Sequence, residues 1–187
     1  MKNKYDRLLL IARDLIYRQG LSALSHERLA KAAGIGKSTC LYYFPNKEAL
    51  LAALVKHYVQ HLDEAFSICL KNYENAGSAK GTLLAFRDWY LVFRTDEYRP
   101  WRKVGYQIMM AGAQEKTLSD PIRKWYKNLY THIQNHTPPS VLPRVMILLM
   151  TFDHLFNARK LGYDVLNIDE ENRVIDEINR QIDEIFS

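Results

Sequence analysis

Apolar residues recur every three or four positions along almost the whole chain, and strand-like alternation bounded by turn signals is missing, so the pattern predicts helices and no sheet. Leu8, Leu9, Ala12, Leu15 and Ile16 make the stripe of a first helix, which Gly20 stops in the manner of a C-terminal cap. Ser25 offers a cap oxygen to a short helix running to about Ala33, with Leu29, Ala30 and Ala33 inward. Gly34-Ile35-Gly36 is too tight for anything but a turn, and a second short helix follows from Lys37 to about Tyr43. Pro45-Asn46 breaks it before a long helix striped by Leu50, Leu51, Leu54, Tyr58, Leu62, Phe66 and Cys69.

Beyond that helix the punctuation is regular. Asn75 to Gly81 reads as a linker, and Pro100 separates a helix of about Thr82 to Thr95 from one of about Trp101 to Gln114. Asp120-Pro121 has the form of a cap and first helical residue, opening a helix to about His136. Pro138-Pro139 divides this from a helix of about Ser140 to Leu161, with Pro143 tolerated in its first turn and Gly162 ending it. A last helix, about Glu170 to Phe186, carries Val174, Ile175, Ile178, Ile182, Ile185 and Phe186 on one face.

Charge divides the chain more sharply than composition does. The 187 residues carry a formal net charge of +5, yet residues 1–60 hold ten basic and four acidic side chains, against 16 and 17 in the remainder. The excess therefore lies in the N-terminal third, and a small basic domain suits a polyanion. No apolar run approaches the roughly 18 residues needed to span a membrane, and Arg13 and Asp14 arrive before any signal-peptide core, so a cytoplasmic protein without membrane attachment is expected. Cys40 and Cys69 are too few and too scattered for a disulfide framework or a zinc site, and read as free thiols.

A helix, a glycine turn and a second short helix have the geometry of a helix-turn-helix, in which the second helix is offered to the major groove, although any two short helices joined by a glycine turn share that spacing. Lys37, Ser38, Thr39, Tyr42 and Tyr43 suit that task, since a lysine there reaches guanine O6 and N7 and hydroxyls serve bases or phosphates. Cys40 and Leu41, its apolar members, are expected to turn partly inward. Ser25 and His26 at the start of the preceding helix join the candidate DNA contacts. Lys47 opens the long helix, where its charge and the free amides of the helix end can hold one phosphate.

The stretch Gly20 to Leu51, GLSALSHERLAKAAGIGKSTCLYYFPNKEALL, resembles the tetracycline-repressor-like (TetR) family of transcriptional regulators. Its signature is a Gly, a capping hydroxyl, an aliphatic-Ala pair, Ala-Gly-aliphatic and Phe-Pro-x-Lys-x-x-Leu. The resemblance covers about the first 55 residues and implies that the residues at Lys37, Ser38, Thr39, Tyr42 and Tyr43 line the DNA face while Lys47 grips a phosphate. Three positions depart: Leu41 stands where the family usually has Tyr, Gly36 where it often has a capping residue, and Cys40 where it has a long aliphatic. All three touch the reading surface, so operator sequence does not transfer from a relative.

The rest of the chain is rich in large adaptable side chains. Trp89, Tyr90, Phe93, Trp101, Tyr106, Met109, Met110, Trp125, Tyr126, Phe152 and Phe156 are read either as plain core or as the lining of an apolar pocket. The resemblance favours the pocket, implying a bundle that encloses small hydrophobic effectors, with Asp88, Gln107, Gln114, Glu115, Asn128 and His154 as candidate orienting groups. Apolar surplus at Leu148, Leu155, Ile175, Ile178, Ile182 and Ile185 points to a homodimer, and the resemblance implies a four-helix interface built from the last two helices of each subunit. In FDHLFNARKLG, from Phe152 to Gly162, His154 replaces the Gly of the family's Asp-Gly-Leu pattern.

His57 with His61 and His132 with His136 have the i, i+4 spacing that suits a metal, but no HExxH motif and no obvious third ligand accompanies them, so no metal and no cofactor are expected. Phosphate loops, GxSxG elbows and paired carboxylates are missing, and no enzyme is expected. The sequence thus predicts an all-α protein: residues 1–50 a three-helix helix-turn-helix DNA-binding domain, joined by a long helix to residues 51–187, a helical effector-binding and dimerisation bundle. The function expected is that of a dimeric repressor released from a pseudo-palindromic double-stranded operator by a small hydrophobic or aromatic effector. The alternative is a regulator without a small-molecule effector, acting as an activator or architectural protein or controlled by a protein partner.

Overall fold

Asn3 starts the first helix by accepting the amide of Asp6 on its Oδ1 at 2.9 Å, and Gly20, at φ +86°, ends it by donating its amide to the Ile16 carbonyl at 2.8 Å. The computed structural model describes residues 3–73, 78–112, 116–160 and 166–187, with the side chains of 112, 116, 117 and 156–160 outside that set. Among the described residues the chain is helical and has no strand. Its elements are α1 (Lys4–Gln19), α2 (His26–Ala33), α3 (Lys37–Tyr43), α4 (Lys47–Lys71), α5 (Ala79–Phe93), α6 (Arg99–Gly112), α7 (Lys116–His136), α8 (Leu142–Lys160) and α9 (Ile168–Ile185), with 3₁₀ turns at Leu21–Ala23 and Asp96–Tyr98.

The chain divides into two compact units, residues 1–61 with 99–124 and residues 62–98 with 125–187. In the first, Leu8, Leu9, Ala12 and Ile16 of α1 meet Leu24, Leu29, Cys40, Phe44, Leu50 and Leu54 in a buried core. Here α6 packs on α1. The Arg13 guanidinium stands 5.0 Å from the Trp101 ring centre, the Lys103 ammonium 5.2 Å from that of Tyr17, and the Gln107 side-chain oxygen accepts the Leu21 amide at 2.7 Å. Tyr58 lies flat against α6 at Gly105, where a Cβ would collide with the phenol. Burial raises the Tyr58 hydroxyl pKa.

The second unit has an aromatic core. Phe66, Phe86, Trp89, Tyr90, Phe93, Trp125 and Phe152 are all buried, together with Leu83, Leu129, Val145, Leu148 and Leu149. Polar groups lock α9 to α5: Tyr90 and Arg94 both engage Glu171, Arg87 donates to Asn179 at 3.0 Å, and Lys80 pairs with Asp183 at 3.0 Å. Around Tyr73, Arg87 and Asp88 meet in a second knot, and burial with the Asp88 hydrogen bond pushes the Tyr73 phenol up to about 12.

Five helix starts differ from those the sequence predicts. Helix α6 begins at Arg99, so Pro100, the expected separator, lies in its first turn, and α8 begins at Leu142, two residues late. Helix α5 begins at Ala79 and takes in Gly81, because Ser78 caps it by accepting the Gly81 amide at 3.0 Å; residues 75–77 of the expected linker lie outside the described set. Helix α7 begins at Lys116, so Pro121 sits inside its second turn instead of opening it. Helix α9 begins at Ile168, two residues early, because Asn167 and Glu170 form a capping box. Gly162, the expected stop of α8, lies outside the described residues.

Candidate nucleic-acid interface

Three local devices shape the α2-turn-α3 motif. Ser25 Oγ accepts the Arg28 amide at 3.2 Å and starts α2. Gly34 ends it at φ +65°, in the left-handed region a side chain resists, and Ile35 sends its amide back to the Ala30 carbonyl at 3.0 Å. Gly36 then opens α3 through its carbonyl, which accepts from Thr39 and Cys40 at 3.1 and 3.2 Å.

Helix α3 has one buried edge and one exposed face. Cys40, expected at the reading surface, is instead fully buried, and Phe44 follows it into the core. Lys37, Ser38, Leu41 and Tyr42 stand out, with Tyr42 81% exposed, while Thr39 and Tyr43 are half-buried. Tyr42 meets Tyr43 edge to face at 5.3 Å, and Tyr43 stands 6.4 Å from Tyr5 of α1, so the outermost ring is braced from behind. Leu41, expected to turn partly inward with Cys40, is 37% exposed. A 100° step separates neighbours on a helix, so burying Cys40 rotates Leu41 away from the core. The buried Phe44 four residues after Cys40 is the sequence signal that fixes this rotation.

The remaining candidates on this head are placed as follows. His26 is half-buried, and its Nε2 donates to the Phe44 carbonyl at 2.7 Å, tying α2 to the end of α3. Ser25 is engaged as the α2 cap. Lys47 is exposed at the start of α4, beside Asn46, whose side chain accepts the Ala49 amide at 2.8 Å. Ser38, Lys37 and Tyr42 share a face with Leu41, and Lys47 lies beyond the Pro45-Asn46 turn.

The aromatic candidates divide between the units. Trp101, Tyr106, Met109 and Met110 belong to the first, where Trp101 is buried and stands 5.4 Å from His57 and 5.2 Å from His61, while Met110 is exposed. Trp89, Tyr90, Phe93, Trp125, Tyr126 and Phe152 belong to the second. There Trp89 packs on Phe86, Phe93 and Trp125 at centroid distances of 5.3, 5.4 and 5.7 Å, and Tyr126 donates to Asp153 at 3.0 Å. The side chain of Phe156 lies outside the described residues. Of the candidate orienting groups, Gln107 and Asp88 are engaged as described, Asn128 and His154 are exposed, and Gln114 and Glu115 lie outside the described set.

Helix α9 turns Ile175, Ile178, Ile182 and Ile185 into the core of its own unit, as α8 does Leu148, and Leu155 is half-buried. What stands out from this pair is a different set: Ile147 and Met150 of α8 are 61% and 59% exposed. A groove of about 350 Å³ is lined by Ile147, Leu148, Val174 and Ile178 together with Thr151, Arg173, Glu177 and Gln181. His132 and His136 lie 4.3 Å apart, ring to ring, and burial followed by the neighbouring His136 lowers the His132 pKa. Among the described residues no three His, Cys, Asp or Glu side chains gather as a metal site, both cysteines are free and buried, and no helix is long and apolar enough to cross a membrane.

Comparison with known proteins gives this arrangement its relatives. Residues 8–54 match the sequence model of bacterial regulatory proteins, tetR family. A 65-residue stretch is 37% identical to the HTH-type transcriptional regulator EthR of Mycobacterium tuberculosis, covering 35% of this chain and 30% of the relative, so the chain matches under a third of that protein's length. Similar folds extend over nearly the whole chain. A transcriptional regulator from Rhodococcus sp. superposes with a TM-score of 0.73 at 20% identity over 98% of this chain and 96% of the other. SCO7518 from Streptomyces coelicolor A3(2) does so at 0.70 with 19% identity over 95% and 96%. The multidrug binding protein EbrR complexed with malachite green gives 0.66 at 14% identity over 96% and 98%.

Proposed function

We propose that this chain, whose residues 8–54 match the sequence model of the tetR family of bacterial regulatory proteins, is a transcriptional regulator that reads double-stranded DNA through the outward face of α3. One observation carries this reading: Lys37, Ser38, Leu41 and Tyr42 stand together on the exposed side of a helix whose other side is locked into the core by Cys40 and Phe44. The surplus positive charge of the N-terminal third supplies the attraction to phosphate. Residues 1–50 are the reading head and residues 51–187 the part that dimerises and responds to an effector.

Two copies on one duplex require a pseudo-palindromic operator, with half-sites set by the dimer's two-fold symmetry. The exposed Ile147, which lines the α8–α9 groove, and the exposed Met150 are the apolar surface that favours a dimer at this end of the chain. Selection of bound duplexes from a random pool tests the reading: a recurrent sequence with inverted symmetry is expected, and a pool that stays random contradicts it.

The effector we propose is small and apolar or aromatic, and it relieves repression. Support comes from the concentration of Trp and Phe in the second unit and from the similar fold of EbrR, a multidrug binding protein complexed with ethidium and malachite green. The mutual packing of Trp89, Trp125, Phe86 and Phe93 favours the second reading, a regulator without such an effector, since a ligand there must part rings already in contact. A panel of aromatic compounds separates the two. Quenching of tryptophan fluorescence together with loss of operator affinity is expected from the first, because linkage makes the two sites reciprocal; no change in either leaves the rings as core.

A further inference from the structure

Resting on the reading of α3 as the DNA-facing helix, we propose that Leu41 sets part of the operator sequence by packing on the C5-methyl group of a thymine in each half-site. Lys37 and Leu41 are one turn apart, as are Ser38 and Tyr42, so the four make one continuous patch. Three of them carry a polar group that a phosphate oxygen, a base edge or water satisfies. Leu41 carries none, yet it is 37% exposed in the middle of that patch.

What meets Leu41 in a major groove is decided by the chemistry of the groove. Phosphates and most base edges present donors and acceptors there, and covering these with a leucine removes their water and returns no hydrogen bond. The thymine methyl is the apolar group the groove offers, and burying it against leucine is favourable on both sides. Lys37 fixes the neighbourhood. It reaches guanine O6 and N7, and one helical turn of about 5.4 Å against a base step of about 3.4 Å puts the thymine-bearing pair within one or two steps of that guanine.

Replacing each thymine of a selected half-site by deoxyuridine removes the methyl group and nothing else. In the wild-type protein one position per half-site is expected to weaken binding roughly fourfold, the loss of one buried methyl. Leu41→Ala is expected to bind the thymine and uracil duplexes alike, and its exposed position leaves the fold intact, as circular dichroism will verify. Should that variant bind too weakly to titrate, Leu41→Val, with a shorter apolar tip, is expected to show a reduced methyl effect. The proposal is overturned if the selected half-site has no thymine, if no uracil substitution weakens the wild type, or if the variants keep the full effect. Failure to select any sequence sinks the DNA-reading assignment itself, a separate result.

Discussion

Lys37 and Lys47 are both exposed lysines on the basic head, yet their positions give them different tasks. Lys37 shares the α3 face with Leu41, where the proposed reading has it meet base edges, and Lys47 opens α4, where the same reading has it meet a phosphate. Lys37→Ala is therefore expected to relax preference at one base pair by roughly 1 to 3 kcal/mol, whereas Lys47→Ala weakens all duplexes about equally and lowers the salt dependence. Competition between operator and random DNA reads both, and equal loss on the two for both variants contradicts the division. Glu171 gives a prediction of another kind. Burial raises its pKa from the ordinary 4.5, and this outweighs the Arg94 ion pair at 3.5 Å, which pulls the other way. The folded chain thus holds this proton more tightly than the unfolded one, so the contribution is fully present below 4.5 and is lost as the pH rises through the raised value. The difference in melting temperature between wild type and Glu171→Gln is expected to favour wild type more at the acid end of that window than at neutral pH; a difference independent of pH argues against it. Single residues were the least legible level in the sequence. Leu41 was hidden because its orientation depends on Cys40 being buried, and the buried carboxylate of Glu171 looks, in a run of acids, like its solvated neighbours.

At the scale of elements, the helices were legible because each carries its own stripe and its own stop signals. Gly20, Gly34 and Pro45 each end a helix where local chemistry demands it. The missed boundaries have equally local causes. Asn167-x-x-Glu170 is a capping signature present in the chain, but the apolar stripe of this helix begins later, at Val174. Pro121 misled because a proline suits the first turn of a helix and is tolerated, at the loss of one backbone hydrogen bond, in the second. The apolar stripe of α9 has the pattern of surface left over for a partner, whereas Ile178 and Ile182 are covered by the chain's own helices. Periodicity reveals that a face is buried and leaves open what buries it. The exposed α8 pair gives the test: Ile147→Asp with Met150→Asp is expected to yield a folded monomer by sedimentation, while Ile182→Asp places an unpaired carboxylate in the core and unfolds the second unit. A double variant that stays dimeric removes the proposed interface from this face.

Across the whole molecule, the chain concentrates its positive charge in the N-terminal third that carries α3 and its aromatic mass in the other unit. Charge alone confers attraction to any polyanion; sequence preference has to come from the α3 face. The two contributions separate in one experiment. Affinity for a selected operator and for a scrambled duplex of equal length is measured by fluorescence anisotropy across a range of salt concentrations. Both affinities are expected to fall as salt rises, with the operator bound more tightly throughout by roughly a thousandfold or more. Equal affinity for the two duplexes at every salt concentration contradicts the assignment of this chain as a sequence-reading regulator.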